Sequence, residues 1–472
     1  MHIPRAMRFI ATRQGQATYH DSKSLSLLAA AFIFFASQLI TNATIFQGDA
    51  GAYWAISSAI VDGSFPQTIR GYFYPLLLTP FRFIFNHSES LGLLSLKIGQ
   101  AIGYGYLLSI LLPDFYQAIL GARTSTFRRI LPSLLVALIF PGLIAYPLSD
   151  APSFGLMATA LHLSLKAIRS HSLILLLAAG LLAYFAYNTR TIYMFSFIAL
   201  ISIVFIFSAK NISHKAIAVA CFLLGSAVGA IPQMAINHHY HGTASPLVVT
   251  DKDGKSLFVR QLTWGMVVDK YETYIDPGTH QATPVFYAND EGASILQNEG
   301  GFTENQSFPR IFKMMSEHPI AFVKIYIRHV ALALDARDGD VYTNLPSSEK
   351  STHSLFFLII ACLGLTRLAA SLLAQDKNRK TAENLLYLSV LALPCIAVIP
   401  GAIETRFFLP IYCISYCALA FESIKHKKSR RSAHLRSNSC NVHLLLCRNF
   451  DAVPKLHQAR ILSGQSVETN MT

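Results

Sequence analysis

Charged side chains are scarce in this chain of 472 residues: only 14% of them are Asp, Glu, Lys or Arg, whereas 52% are hydrophobic. The stretch 24–48 contains no charged residue at all, and a run of that length is long enough to cross a bilayer. So little charge excludes an ordinary soluble globular protein. The composition predicts an all-α polytopic membrane protein.

Cysteine is also too sparse to form a disulfide framework. Five of the seven cysteines lie in apolar segments, Cys440 and Cys447 lie in a basic C-terminal tail, and the large polar segment 237–352 has none. A small secreted domain held together by disulfides is therefore excluded. The first apolar run is longer than the core of a typical signal peptide and is not followed by a convincing cleavage site, so we expect it to remain as an anchor.

The net charge of +13 does not indicate nucleic-acid binding, because of where the basic residues lie. Residues 422–472 hold nine basic and three acidic residues, and most of the remaining excess lies in short loops between apolar segments. Such loops are typically cytoplasmic. We therefore predict membrane lipids as partners of this chain and no nucleic acid.

About ten transmembrane helices follow from the apolar segments and the basic loops between them. Segments 72–85 and 320–334 are too short or too charged to cross, and counting both as spans would move the basic loops outside. The predicted parts are a cytoplasmic N-terminus (1–24), a transmembrane module (25–236) with an outer loop (46–90), an outer domain (237–352), C-terminal transmembrane helices (353–424) and a basic cytoplasmic tail (425–472). Turn signals such as Asp253-Gly254 predict that the outer domain is a small α or α+β insert.

Isolated polar residues near the span ends fall on the predicted outer side. Asp49 follows the first span, within TIFQGDAGAY, and Tyr53 lies one turn later in a helix expected to lie in the membrane plane. The other outer polar residues are Asp150, Arg190, His238, Glu404 and Arg406. Two carboxylates and two arginines in one outward cavity can supply a base for a hydroxyl nucleophile and cations for a departing phosphate.

Each of these residues also has a purely structural explanation. Asp49 is a common helix N-cap residue, and Asp150 is suited to bond the backbone in a Ser-Asp-Ala-Pro turn. Arg190 and Arg406 are suited to anchor at the interface. Glu404 and Arg406 are close enough in sequence to form an exposed ion pair, which stabilises little.

A metal site is a further alternative, suggested by His238, His239 and His241. Adjacent histidines in a polar loop without fixed helical spacing are more often solvated than bound to a metal. The sequence therefore identifies no cofactor with certainty, and a bound divalent cation stays an open alternative.

Four short stretches follow one another in a definite order along the chain. GDAGAYWAISSAI ends the first span, YPLSDAPSFGLMATALHL connects the third and fourth, NTRTIYMF lies between the fifth and sixth, and ETRFFLP comes late. In this order they resemble the integral-membrane GT-C glycosyltransferases, which include protein mannosyltransferases and enzymes that decorate lipid A or O-antigen. The similarity covers mainly residues 25–236, with ETRFFLP as an isolated later match.

The resemblance implies a polyprenyl-phosphate-linked sugar as donor and, usually, inversion at the anomeric carbon. It implies Asp49 as the catalytic base, Asp150 as the acid of the second outer loop, and Arg190 and Arg406 as contacts of the donor phosphate. Many members carry paired acids in the first loop, whereas Ala50 follows Asp49 here, so the resemblance leaves metal dependence undecided.

The sequence thus predicts a glycosyltransferase of a bacterial inner membrane, with its site on the periplasmic side and a glycan, lipid or protein as acceptor. We expect Asp49 and Asp150 to be catalytic. The expected substrate-binding residues are Tyr53, Arg190, His238, Glu404 and Arg406. Two alternatives stay open: an O-antigen ligase or polymerase, and a transporter or flippase of lipid-linked saccharide. Transporters usually place binding groups near the midplane, whereas the polar groups of this chain collect at the span ends.

Overall fold

The structure is a computed structural model that describes residues 5–122, 124–208, 211–249, 257–275, 281–301, 307–335, 351–374 and 378–421. The predicted basic tail, the loop residue Arg123 and parts of the predicted outer domain lie outside these ranges. Within them the chain is 80% helical, which is consistent with the predicted all-α class.

The helices fall into two groups separated by a short sheet. The first group is α1 (Arg5–Thr41), α2 (Gly48–Val61), α3 (Phe73–His87), α4 (Glu89–Tyr106), α5 (Leu112–Leu120), α6 (Thr126–Ile139), α7 (Pro141–Ala145), α8 (Asp150–Ser170), α9 (Leu173–Thr189), α10 (Met194–Phe207) and α11 (Ile212–His241). After α12 (Leu257–Val267) come β1 (Val268–Ile275) and β2 (Ala282–Ala288), followed by α13 (Asp290–Asn298), α14 (Phe308–Glu317), α15 (Pro319–Ala333), α16 (Ser351–Leu373), α17 (Asn378–Val398) and α18 (Leu409–Ala420).

Four helices of the described chain are long and apolar enough to cross a membrane. Their spans are Lys23–Thr41, Ile212–His241, Thr352–Leu373 and Lys380–Val398. Shorter apolar helices cover Leu173–Thr189, Thr191–Phe207 and Thr405–Ala420. A multi-pass membrane protein is thus supported, whereas the number of ten spans stays a prediction. On α1, Phe32 and Ile40 are 71% and 86% exposed, as expected of side chains that face lipid.

The apolar segment 131–148, which the sequence predicts as the third span, is interrupted near its middle. Helix α6 ends at Ile139, and Pro141 begins the short helix α7. Proline has no backbone N–H to donate and disfavours a helical conformation in the residue before it, here Phe140. Tyr146 is extended, so the chain approaches Asp150 in a non-helical segment.

Helix α8 is central, because side chains are buried along its whole length. Many of them are small, including Ala151, Ser153, Ala158 and Ala160, and α8 contacts α9, α10 and α17. Small side chains let neighbouring helices approach closely. The first residue of this helix, Asp150, therefore lies between helices and not on the protein surface.

Helices α9 and α11 pack with their backbones in contact. A Cβ added at Gly180 would lie 1.8 Å from the carbonyl oxygen of Phe222, and one added at Gly225 would lie 1.9 Å from that of Leu177. Any larger residue at either position would push the helices apart. This contact fixes α9, whose C-terminal end leads directly to Arg190.

In its described residues, the segment between α11 and α16 contains a two-stranded antiparallel sheet of β1 and β2 among short helices, which fits the second of the two predicted forms of the insert, α or α+β. Two details differ from the sequence prediction. Helix α11 continues to His241, so the predicted boundary at residue 236 falls inside a helix. The three histidines near this boundary therefore lie in a last helical turn and not in a loop.

Candidate functional site

Arg406 contacts three carboxylates at once. Its Nη2 atom lies 2.5 Å from Oδ2 of Asp49 and its Nη1 atom 3.6 Å from Oδ2 of Asp150, while Nε donates to Oε2 of Glu404. The Arg406 side chain is only 2% exposed. One guanidinium thus connects the start of α2, the start of α8 and the loop before α18.

Two further arginines complete this arrangement. Nη2 of Arg70 lies 2.5 Å from Oδ1 of Asp49, and Nη1 of Arg190 donates to Oδ1 of Asp150. We call the six residues the arginine–carboxylate network; they are Asp49, Arg70, Asp150, Arg190, Glu404 and Arg406. With all six groups ionised, its three positive and three negative charges cancel.

Arg70 is held by the chain that follows it. A Cβ at Gly71 would lie 1.9 Å from the carbonyl oxygen of Asn188, so only glycine fits between the loop and the end of α9. The Asn188 side chain also accepts a hydrogen bond of 2.8 Å from the Phe73 amide. Sequence reasoning missed Arg70, because nothing near it distinguishes it from any other basic residue in a loop.

Tyr53 lies beneath Arg70. The Cζ atom of Arg70 is 4.7 Å from the centre of the Tyr53 ring, a distance suited to a cation–π contact. The Tyr53 hydroxyl donates to Oγ of Ser149 over 3.1 Å. Tyr53 therefore connects α2 to the residue that precedes Asp150.

The loop that carries Glu404 and Arg406 is held by strand β1 of the insert. The Tyr271 amide donates to the Ile403 carbonyl over 2.8 Å, which extends the sheet by a bridge. Oε1 of Glu272 accepts from both the amide and the hydroxyl of Thr405, each over 2.9 Å. The insert thus fixes the backbone on both sides of Glu404.

Phe407 supports two guanidinium groups from one ring. The Cζ atoms of Arg190 and Arg406 lie 4.3 Å and 5.6 Å from its centre. Such contacts attract a cation to the ring face. They also orient both arginines towards the same carboxylate, Asp150.

A small recess opens beside these groups. Asp150, Arg190 and Arg406 form its polar side. Its remaining lining residues are Ile192, Tyr193, Pro394, Val398, Phe407 and Pro410. The site therefore combines guanidinium groups with an apolar wall from α17 and α18.

The charge state of Asp49 follows from competing effects. Burial by itself raises the pKa of the Asp49 carboxyl, but the charges and hydrogen bonds of Arg70 and Arg406 outweigh it and hold the pKa well below its usual range. Asp49 is therefore ionised and a weak base while both arginines contact it.

Glu404 behaves in the opposite way. Burial raises the pKa of its carboxyl to about 7, although Arg406 opposes the shift; the negative charge of Asp49 adds to it. Glu404 is thus an acid of the network that titrates near neutral pH.

The structure brings five predicted site residues together: Asp49, Asp150, Arg190, Glu404 and Arg406. Tyr53 lies next to them through Arg70. His238 is exposed in the last turn of α11, and its side chain does not join the network. Glu404 and Arg406 form a buried ion pair and not the exposed one that the sequence suggested, since both side chains are 2% exposed.

The donor atoms at this site are poorly suited to bind a divalent cation. Among the residues that the structure describes, no three His, Cys, Asp or Glu side chains lie together as metal ligands. Both oxygens of Asp49 already accept from arginine, and cations placed beside a carboxylate disfavour a metal ion there. The donor set of the network therefore does not fit a divalent ion.

No protein-family model matches the sequence, and no curated protein matches it. The function is therefore inferred from the geometry of the network.

Proposed function

We propose that this protein is a membrane glycosyltransferase that moves a sugar from a polyprenyl-phosphate donor to a hydroxyl of a cell-envelope glycan, lipid or protein, on the outer face of a bacterial inner membrane. The observation that carries the proposal is the contact of Arg406 with both Asp49 and Asp150 beside a recess with an apolar wall. Acid, cation and apolar surface are the three elements that such a transfer needs.

The arginines suit the phosphate of the donor. A guanidinium donates two parallel hydrogen bonds to phosphate oxygens and keeps its charge at any physiological pH. Arg190 and Arg406 line the recess, and Pro394, Val398 and Pro410 line it too. An anionic group attached to an apolar chain fits such a mixture better than a free sugar or a soluble nucleotide does.

The transfer step forms one bond and breaks another. The acceptor hydroxyl oxygen attacks the anomeric carbon, the bond from that carbon to the phosphate oxygen breaks, and its electron pair leaves with the phosphate. The arginines stabilise the negative charge that develops on the leaving group. The hydroxyl proton passes to a carboxylate, for which we propose Asp49.

Asp49 is a weak base in the empty site, which constrains the order of events. When phosphate oxygens take over the hydrogen bonds of Arg70 and Arg406, the cations that lower the pKa of Asp49 become engaged with the donor. The pKa of the Asp49 carboxyl then rises, and the group accepts a proton more readily. Asp49 is thus activated by the donor and is unreactive without it.

The insert is suited to select the acceptor. Its strand β1 and its helix α15 contact the turn that carries Arg406. Segments placed on a rigid scaffold often carry specificity. Substitutions in the insert away from β1 should therefore change the acceptor and leave the donor unchanged.

The test is a transfer assay with the purified protein in lipid nanodiscs. A polyprenyl-phosphate monosaccharide with a labelled sugar serves as donor, and a cell-envelope extract serves as acceptor. Transfer of label to the acceptor supports the proposal. Activity only with a diphosphate-linked oligosaccharide would instead identify a ligase or polymerase, and movement of the intact donor across vesicles without transfer would identify a transporter.

A further inference from the structure

The arginine–carboxylate network has no spare positive charge for a ligand. Its three guanidinium groups contact three carboxylates. The side chains of Glu404, Arg406 and Asp150 are 2%, 2% and 4% exposed, and none of the other three is more than 31% exposed. A phosphate that enters this site adds a negative charge where water compensates it poorly. A carboxylate displaced from its arginine stays on the chain beside the site and keeps its charge, so binding requires that one of the three carboxylates becomes neutral.

Asp49 is not suited to become neutral in the empty network, because Arg70 and Arg406 both lie 2.5 Å from it. Glu404 is better placed. It is buried, and it accepts a hydrogen bond from Nε of Arg406 through one oxygen, which leaves the other oxygen available to carry a proton. Burial and the charge of Asp49 both favour its neutral form.

The groups around Glu404 come from several elements. Arg406 lies on its own turn, Asp49 on α2, Arg190 after α9 and Tyr271 on β1. Two more charged residues of β1, Lys270 and Glu272, lie 3.6 Å from each other, and Glu272 accepts from the Thr405 amide. Their charges offset one another. A negatively charged group bound to Arg406 or Arg190 therefore raises the pKa of Glu404, because it offsets the positive charges that oppose protonation of this carboxyl.

We propose that the network binds one phosphodiester group together with one proton, and that Glu404 takes up this proton. The ligand class in this inference rests on the proposed function. The uptake of one proton is the new element, and it follows from the charge balance of the network. Phosphate oxygens replace the Asp49 carboxylate on Arg406 and Arg70, a solvent proton moves to a carboxylate oxygen of Glu404, and no covalent bond of the ligand changes. The neutral Glu404 still accepts from Arg406 through its carbonyl oxygen.

Proton-coupled binding makes a quantitative prediction. Above about pH 7, the dissociation constant should rise roughly tenfold per pH unit, because each unit reduces the protonated fraction of Glu404 tenfold. Glu404→Gln mimics the protonated acid and keeps an oxygen that accepts from Arg406. This variant should bind with little pH dependence and, near about pH 9, more tightly than the wild type does.

The experiment is calorimetric titration of the full-length protein in nanodiscs with a short-chain prenyl methyl phosphodiester, whose single charge does not change over this pH range. Wild-type protein is titrated near about pH 8 in two buffers with different ionisation enthalpies, and the difference gives the number of protons taken up. We expect close to one proton for wild type and for Glu89→Gln, an exposed acid of α4, and close to none for Glu404→Gln.

The outcomes separate this inference from the proposed function. Wild-type binding without proton uptake, an unchanged pH slope in Glu404→Gln, or no binding of the phosphodiester would each overturn it. If Glu404→Gln does not fold, the wild-type proton count decides alone. Proton-coupled binding in a protein that transfers no sugar would refute the glycosyltransferase and leave this anion site standing.

Discussion

Arg406 donates to the carboxylate of Asp49 across 2.5 Å, although 357 positions separate the two residues in sequence. The first connection of the chain and the short turn before its last described helix therefore meet at one point. Arg406 also contacts Asp150, at the start of α8. The three stretches that carry these residues are distant in sequence, and their meeting is what makes the network a candidate site.

Asp49→Asn tests the proposed base. The amide keeps the size of the side chain and cannot accept the proton, so we expect sugar transfer to fall by about 10² to 10⁴. Asp62→Asn is the matched control, since Asp62 is an exposed acid at the other end of α2. Both variants are compared with wild type at equal amounts of folded protein in nanodiscs. Wild-type transfer by Asp49→Asn would remove this residue from the mechanism.

Arg70→Ala tests the arginine that only the structure identified. The loss of a charge-assisted hydrogen bond of about 1.5–3 kcal/mol should raise the donor concentration for half-maximal rate roughly 10- to 100-fold. Arg70→Lys should recover part of this loss, because it keeps the charge without the planar fork. Arg169→Ala, which changes an exposed arginine of α8, serves as control. An unchanged donor requirement in Arg70→Ala would assign Arg70 a purely structural role.

Gly71→Ala tests how Arg70 is positioned. The added Cβ would lie 1.9 Å from the backbone oxygen of Asn188, so the loop and the end of α9 must separate. We expect a loss of stability of about 1–3 kcal/mol and a donor requirement raised in the same direction as in Arg70→Ala. The midpoint of thermal unfolding and the donor titration measure the two effects.

The control for this substitution is Gly103→Ala, because a Cβ at Gly103 in α4 meets no atom within 4 Å. It should leave the stability unchanged or raise it by up to about 1 kcal/mol. Equal stability of Gly71→Ala and wild type would show that the loop accommodates a side chain without displacement.

Glu404 predicts a pH dependence of stability with a definite sign. The pKa of its carboxyl is raised from 4.5 to about 7 in the folded protein, so the folded state binds more protons than the unfolded state between these values. The free energy of unfolding should therefore decrease as pH rises through this window, by up to roughly 1.4 kcal/mol per pH unit. Asp49 acts with the opposite sign, but only near and below its ordinary pKa of 3.8.

Thermal midpoints of wild type and Glu404→Gln, measured from about pH 4.5 to about pH 7.5, test this dependence. The wild type should lose stability with rising pH, and the variant should lose less. Parallel curves for the two proteins would show that Glu404 does not titrate in this window.

Part of the site could be predicted from the sequence, because isolated polar residues at the ends of apolar segments stand out. Asp49, Asp150, Arg190, Glu404 and Arg406 were found in this way. Arg70 was missed since the loop between α2 and α3 contains no pattern that marks it. His238 was included from its place after an apolar segment, but α11 continues past it and leaves its side chain exposed.

The sequence by itself determined the class of the protein. Long uncharged stretches cannot remain as loops in a membrane, because their backbone N–H and C=O groups would have no hydrogen-bond partners there. They must form helices, whose apolar side chains face lipid or the protein interior. It also determined that the remaining charges lie near the ends of these stretches. Which charges become partners was decided only by the tertiary structure, because ion pairing depends on distances of a few ångströms.

Those distances are set by local packing details that no periodicity reveals. The backbone contact at Gly71, the interruption of a helix at Pro141 and the bridge from β1 to Ile403 each move a charged residue into the network. Without them, the same carboxylates and arginines would lie at separate helix ends, each solvated alone. The network is thus a product of helix packing, which brings together charged residues that the sequence places near the ends of apolar segments.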